Sequence, residues 1–331
     1  MQSRKFKLKK RPVGVPAMTD FELVEDEVRT PEEGEVLVKN LYMSVDPYMR
    51  GRMREAWKPG DDLEGGAVGR VLESACDDLS AGDYVNHGQG WREHATLKGG
   101  ACSKVDPDLA PLQTYLGVMG MPGLTAYGGL LVTGEYKDGE TVFVSAASGA
   151  VGSVVGQIAR IRGSDRVIGS AGSAAKVSIL KDDFGFTHAF NYKEADILSE
   201  LRLGAPDGLD IYFENVGGLQ LEAALTHMKP HGRIPICGMI AHYNDGDTMT
   251  PGPRNLTETI YKFITLKGFV VSAFGHLQAQ FREEMGGWIR SGDLKYHETV
   301  MHGIDRAPEA FIGLFAGAND GKMLVQIATD D

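Results

Sequence analysis

The segment Thr141 to Gly156, Thr-Val-Phe-Val-Ser-Ala-Ala-Ser-Gly-Ala-Val-Gly-Ser-Val-Val-Gly, constrains this chain more than any other. An apolar run passes into small residues, and then Val151, Val154, Val155, Ile158 and Ile161 recur at helical spacing. Ala147, Gly149 and Gly152 occupy the three positions of G-x-G-x-x-G, with alanine in the first. Residues without bulk let main chain approach a pyrophosphate, and the N–H groups and positive dipole end of the helix stabilise its charge. The alternative is a plain tight strand-to-helix turn with no ligand.

Context favours the ligand. From about Thr141 short apolar strands alternate with helical patterns: Thr141 to Val144, Arg166 to Ile168, Leu209 to Phe213, Arg233 to Ile240 and Phe269 to Ala273. That rhythm predicts βαβ units and a parallel sheet covered on both faces. Upstream, from Glu35 to Val105, short alternating stretches broken by Gly, Pro and Asp predict a β-rich region, and the rhythm changes near Gly117 to Gly123. Downstream, a helix is expected from Leu277 to Ile289, stopped by Gly292. An amphipathic Ala307 to Phe315 and a strand Lys322 to Ile327 follow, read as a tail folding back onto the first region.

The strand Arg166 to Gly169 runs into Ser170-Ala-Gly-Ser173, with Lys176 beyond. NAD enzymes carry an acidic residue near this distance for the ribose hydroxyl. Here small hydroxyls and a lysine leave room and positive charge for a ribose phosphate, which favours NADPH over NADH. A solvated helix-start lysine is the plainer reading of Lys176.

Charge removes other classes. With 34 Lys+Arg against 45 Asp+Glu the net charge is −11, which suits neither nucleic acid nor an anionic membrane surface. The short basic stretch from Arg4 to Arg11 alternates with Phe6 and Leu8, as a strand with one wet face does. No apolar run reaches membrane-span length, so a cytoplasmic protein is expected. Cys76, Cys102 and Cys237 form no CxxC pair, and HExxH, GxSxG, Walker A and EF-hand patterns are absent. His87 and His94 come nearest to a ligand pair, without a third ligand beside them, and no metal is expected. A nicotinamide site without metal stabilises developing negative charge through hydrogen-bond donors such as tyrosine or backbone N–H.

Leu41-Tyr-Met-Ser-Val-Asp-Pro-Tyr-Met-Arg50, Gly123-Leu-Thr-Ala-Tyr127, Ala146 to Ser153, Phe190-Asn-Tyr192, Glu214-Asn-Val-Gly-Gly218 and Cys237-Gly238 through Tyr243-Asn244 resemble, across essentially the whole chain, the zinc-independent medium-chain dehydrogenase/reductases. Within them the similarity is to the leukotriene dehydrogenase/prostaglandin reductase and alkenal double-bond reductase branch. The resemblance implies an α/β protein: a GroES-like β-rich catalytic domain, residues 1–120 with 292–331 folding back, and a doubly wound Rossmann NADP-binding domain, 121–291, with the active site in the cleft. It implies hydride transfer from NADPH to the β-carbon of an α,β-unsaturated ketone or aldehyde, without metal. A quinone reductase of the zeta-crystallin type and a non-catalytic NADPH-binding sensor are the alternatives.

Carried over residue by residue, the resemblance assigns the pyrophosphate turn to Ala150, Val151, Gly152 and Ser153, directly after the Gly149 of the glycine pattern. Lys176 and Tyr192 fall to the ribose phosphate, beside the Ser173 hydroxyl read from the sequence itself, and Asn215 to a contact near the cofactor. Cys237, Gly238, Met239, Ile240 and Tyr243 match the nicotinamide-side loop, Phe269, Val270 and Val271 a strand lining it, and Asn319 a C-terminal contact. Tyr261 matches the tyrosine proposed to hydrogen-bond the enolate oxygen; Tyr48 is an alternative donor, and the cofactor ribose hydroxyl another relay. A homodimer joined along sheet edges is implied, with Phe269 to Phe274 as the edge. Gly66 stands where alkenal reductases carry a tyrosine, which predicts a wider pocket with Trp91 partly filling the gap.

Overall fold

The computed structural model describes residues 1–246 and 250–330. The chain divides into two compact units, Met1–Gly117 with Glu298–Asp331, and Val118–His297.

In the second unit the apolar runs form a six-stranded, all-parallel sheet. Its order is His188–Asn191, Val167–Ala171, Val142–Val144, Leu209–Phe213, Met228–Ile236, Thr265–Gly268. The first three strands in sequence run outward one way and the last three the other, so Val142–Val144 and Leu209–Phe213 sit side by side where the order reverses. This is a doubly wound, Rossmann-type sheet, and ligands of such sheets bind beyond the carboxyl ends of the strands at that reversal. Val142, Phe143 and Val144 are wholly buried because helices cover both faces. Helix Gly152–Ile161 turns Val154, Val155 and Ile158 inward. Its Gly156 admits Phe186, whose ring would stand 2.0 Å from a Cβ there. Ser173 caps helix Ala174–Asp182 by accepting from the Lys176 N–H. Helix Gln278–Ser291 stops at Gly292, which takes the left-handed conformation (φ 78°).

The expected strand Phe269 to Ala273 is corrected. The sixth strand is Thr265–Gly268, and Val271–Leu277 is a 3-10 helix. Thr265 to Gly268 pair with Arg233 to Ile236, and the ladder ends where the partner ends. Phe269 then packs its ring against Phe213 and Phe274. The preceding strand is likewise Met228–Ile236 rather than Arg233 to Ile240.

In the first unit the strand Glu35–Ser44 is the hub of a seven-stranded sheet, pairing with Ala67–Ser74, His94–Lys98 and the C-terminal Lys322–Gln326. The basic N-terminal stretch is the strand Gln2–Leu8, paired with Phe21–Glu27, with Phe6 and Leu8 buried. Trp91 does not fill a pocket. It is fully buried among Phe6, Phe21 and Phe311, because this unit's core needs a large ring at their junction. His87 is a core histidine whose Nδ1 accepts from the Gln89 N–H. Burial, then the Arg92 charge, holds its pKa down to about 3, so it is neutral.

Candidate active site

The second unit's site is built on two loops at the sheet reversal. After Val144 the chain turns through Ser145 and Ala146, the latter at φ 48°, and Gly149 N–H bonds back to Ala146 O (3.0 Å). A Cβ on Gly152 would lie 2.5 Å from Ala146 O and 2.8 Å from Ala147 Cα, so only glycine lets the helix start so close beneath this turn. Gly149, Ala150, Val151, Gly152 and Ser153 thus form one tight strand-to-helix turn whose helix N-terminus suits a diphosphate. Alanine normally stabilises a helix relative to glycine by about 1 kcal/mol. Gly287→Ala in helix Gln278–Ser291, with nothing within 4 Å of its Cβ, is expected to raise Tm; Gly152→Ala is expected to lower it, checked by calorimetry of both variants.

The neighbouring strand Val167–Ala171 ends at Gly172, followed by the Ser173 cap and Lys176. No carboxylate stands among residues 172–176. Tyr192 N–H bonds to Ala171 O (3.1 Å), bringing the 192–193 turn alongside. A Cβ on Gly172 would lie 3.4 Å from Tyr192 Cε1 and 3.5 Å from Lys193 Nζ. Lys193 is a residue that sequence reasoning missed; its one signal was a second cation directly after Phe190-Asn-Tyr192. Small residues, a hydroxyl, a phenol and two ammonium groups fit a ribose bearing a phosphate.

At the reversal point, the loop following Leu209–Phe213 is stitched to the loop following Met228–Ile236. Cys237 and Gly238 N–H donate to Glu214 O (2.9 and 3.2 Å), Ile240 N–H to Asn215 O and Ala241 N–H to Val216 O (3.1 Å each). Gly217, at φ 83°, leaves 3.0 Å between a built Cβ and both Met239 Cε and the His242 ring. The Tyr243 hydroxyl lies 2.9 Å from the Cβ position of Gly238. The structure therefore brings together Asn215, Cys237, Gly238, Met239, Ile240 and Tyr243. Burial, then the Glu214 charge, pushes the Cys237 thiol up to about 12, so it stays protonated. Ser145 and Glu214 of this loop pair were also missed by sequence reasoning, although Glu214 opens the segment Glu214-Asn-Val-Gly-Gly218.

Phe269, Val270 and Val271 do not line the loop as a strand. Phe269 packs inward, also facing Gly129 (2.5 Å from its Cβ position), while Val270 is 68% exposed. Tyr261 ends the short helix Glu258–Tyr261 and is 80% exposed.

Tyr48 and Asn319 belong to the first unit. Tyr48 opens helix Tyr48–Arg54, with Arg52 over its ring (5.9 Å); burial and then the Asp46 charge raise its pKa above the ordinary phenol value. Asp46 is locked by Lys322, whose Nζ donates to Asp46 Oδ1 and Val45 O (2.9 Å each), and by Ser44. Asn319 precedes that lysine in the C-terminal loop, its Nδ2 donating to Gly321 O (2.6 Å). Gly66 has Leu116 and Ser44 at 3.4 and 3.6 Å from its Cβ position. Among the described residues no group of three or more His, Cys, Asp and Glu side chains comes together to hold a metal ion.

Residues 4–105 match the family model described as "N-terminal domain of oxidoreductase", and 150–289 the one described as "Zinc-binding dehydrogenase". The chain is 45% identical to the 2-alkenal reductase (NADP(+)-dependent) of Nicotiana tabacum, covering 98% of this chain and 97% of that one. It is also 45% identical to prostaglandin reductase 1 of Bos taurus (98% and 99%). It belongs to the zinc-independent medium-chain dehydrogenase/reductases. A family structure, CurA from Vibrio vulnificus in complex with NADPH, superposes with a TM-score of 0.93 at 38% identity over 98% of this chain and 99% of that one. The segment Gly65-Gly66-Ala67-Val68 contains neither histidine nor glutamate. No helix among the described residues is long and apolar enough to cross a membrane.

Proposed function

We propose that this protein is an NADPH-dependent reductase of the carbon–carbon double bond of α,β-unsaturated ketones and aldehydes. The observation that carries the reading is end-to-end similarity to a 2-alkenal reductase and a prostaglandin reductase. The phosphate-end chemistry of Ser173, Lys176, Tyr192 and Lys193 supports NADPH as the donor. In this reading residues 1–120 with 292–331 are the GroES-like catalytic domain and 121–291 the NADP-binding domain, supported by compact units with neighbouring bounds.

NADPH, when bound, supplies the hydride that reaches the substrate β-carbon. The chain's part is to hold and orient. The Gly149 to Ser153 turn takes the diphosphate, and Asn215 with the Cys237 to Tyr243 loop sets the nicotinamide end; Asn319 adds a contact. As hydride arrives, negative charge gathers on the carbonyl oxygen, and a tyrosine hydroxyl that donates there stabilises the enolate before the α-carbon is protonated. Tyr261 and Tyr48 are the two candidates.

The test is loss of nicotinamide absorbance with a panel of an aliphatic enal, an aryl enone, a prostaglandin-like ketone and a quinone, with NADH and chelator controls. Chelator-insensitive consumption of NADPH with a saturated ketone as product is expected; consumption with quinones alone would overturn the reading. The protein acts in the cytoplasm on small molecules. It works as a homodimer through the edge strand Thr265–Gly268, flanked by exposed Ile260 and Val270. Sedimentation should give a dimer that Ile260→Asp with Val270→Asp converts to monomer; a monomeric parent protein would contradict this.

A further inference from the structure

The Ser145–Glu214–Asn215 cluster lies where the sheet order reverses, and its carboxyl is not accounted for by packing. Glu214 is wholly buried. Its Oε1 accepts from Val216 N–H (2.6 Å), Tyr212 Oη (2.8 Å), Gly217 N–H (2.9 Å) and Ser145 Oγ (3.1 Å). Its Oε2 is equally buried and has no hydrogen-bond partner among the described residues. Leaving a buried oxygen unpaired costs about 1–3 kcal/mol. Two amides and two hydroxyls gathered on one oxygen offset that cost and tie both site loops to a single point.

Hydrogen-bond polarity then sets Asn215. The Ser145 hydroxyl gives its proton to Glu214, so its lone pair receives Asn215 N–H (2.9 Å). Asn215 Nδ2 donates to the Ser145 carbonyl (2.8 Å), which can only accept. The amide is therefore not free to flip, and its other pole, Oδ1, makes no hydrogen bond among the described residues. The Asn215 backbone is joined to the Gly238–Tyr243 loop through Ile240 N–H, and the complement of its Oδ1 acceptor is a donor such as a ribose hydroxyl or a carboxamide NH2.

We infer that Glu214 is a positioning residue. Through Ser145 and the 215–217 backbone it holds Asn215 with its amide oxygen toward the nicotinamide half of the cofactor. This rests on the NADPH reading above, and it assigns Glu214 no contact with substrate or cofactor.

The test measures affinity for NADPH, by fluorescence, and for 2′,5′-ADP, by calorimetry. The latter carries the ribose phosphate but not the nicotinamide half. Glu214→Ala is expected to weaken NADPH about tenfold or more while 2′,5′-ADP stays within about twofold. Glu214→Gln keeps an acceptor oxygen and should restore NADPH affinity to within about threefold of the parent. Ser145→Ala, a milder change, should weaken NADPH about three- to tenfold with the same selectivity, and it decides the matter should Glu214→Ala not fold. Equal losses for both ligands would mean a structural role only, and unchanged NADPH affinity would mean none; either overturns the inference. A parent protein binding neither ligand would overturn the cofactor reading, and this inference with it.

Discussion

Tyr261→Phe is expected to lower kcat for an enone about 100-fold, the scale of losing one oxyanion donor, with NADPH affinity within about twofold of the parent. In the proposed role the hydroxyl would act on charge that is absent from the ground state, so binding would be spared. The substitution is clean because Tyr261 is 80% exposed, and removing its oxygen leaves no buried group unpaired. Tyr48→Phe is the internal comparison. Its phenol keeps its proton beside Asp46, and with Tyr261 as the donor this substitution should cost only about threefold. Stopped-flow turnover with both variants checks this. Full retention of kcat in Tyr261→Phe with a large loss in Tyr48→Phe would transfer the donor role to Tyr48.

The second large effect is on cofactor choice. Lys176→Ala is expected to weaken NADPH about 30-fold and NADH by less than about twofold, since a charge-assisted bond to phosphate carries about 1.5–3 kcal/mol and NADH lacks that phosphate. Lys193→Ala should move in the same direction by about threefold, because its ammonium is exposed and screened by salt. Titration of both cofactors against each variant decides it. Equal loss of NADPH and NADH would show that the Lys176 side chain serves the fold and not the phosphate.

Much of this architecture was legible where a local pattern and its physical cause coincide. The Thr141 to Gly156 turn was readable because glycine demand and helical periodicity meet in a few residues, as the close approach of Gly152 to Ala146 shows. Gly292 was readable because a left-handed stop is a local matter. The Phe269 segment was not. Phe-Val-Val is as apolar as a strand, but a ladder ends where its partner ends, and that partner lies some thirty residues earlier, at Ile236. Trp91 failed for a related reason: whether an aromatic ring lines a pocket or fills a core depends on Phe6, Phe21 and Phe311, all distant in sequence. Glu214 and Lys193 were hidden for the same reason, since their meaning lies in neighbours, Ser145 and Gly172, just beyond the ends of adjacent strands.

In the proposed reaction hydride passes from NADPH to the β-carbon of a conjugated carbonyl while the α-carbon is protonated separately. Its most direct test is the position of label in the product when NADPH deuterated at C4 of the nicotinamide reduces an enone in ordinary water, read by NMR. With deuterium at both C4 positions, one deuterium is expected at the β-carbon and none at the α-carbon or the carbonyl carbon. Deuterium at the carbonyl carbon, giving an unsaturated alcohol, would contradict it.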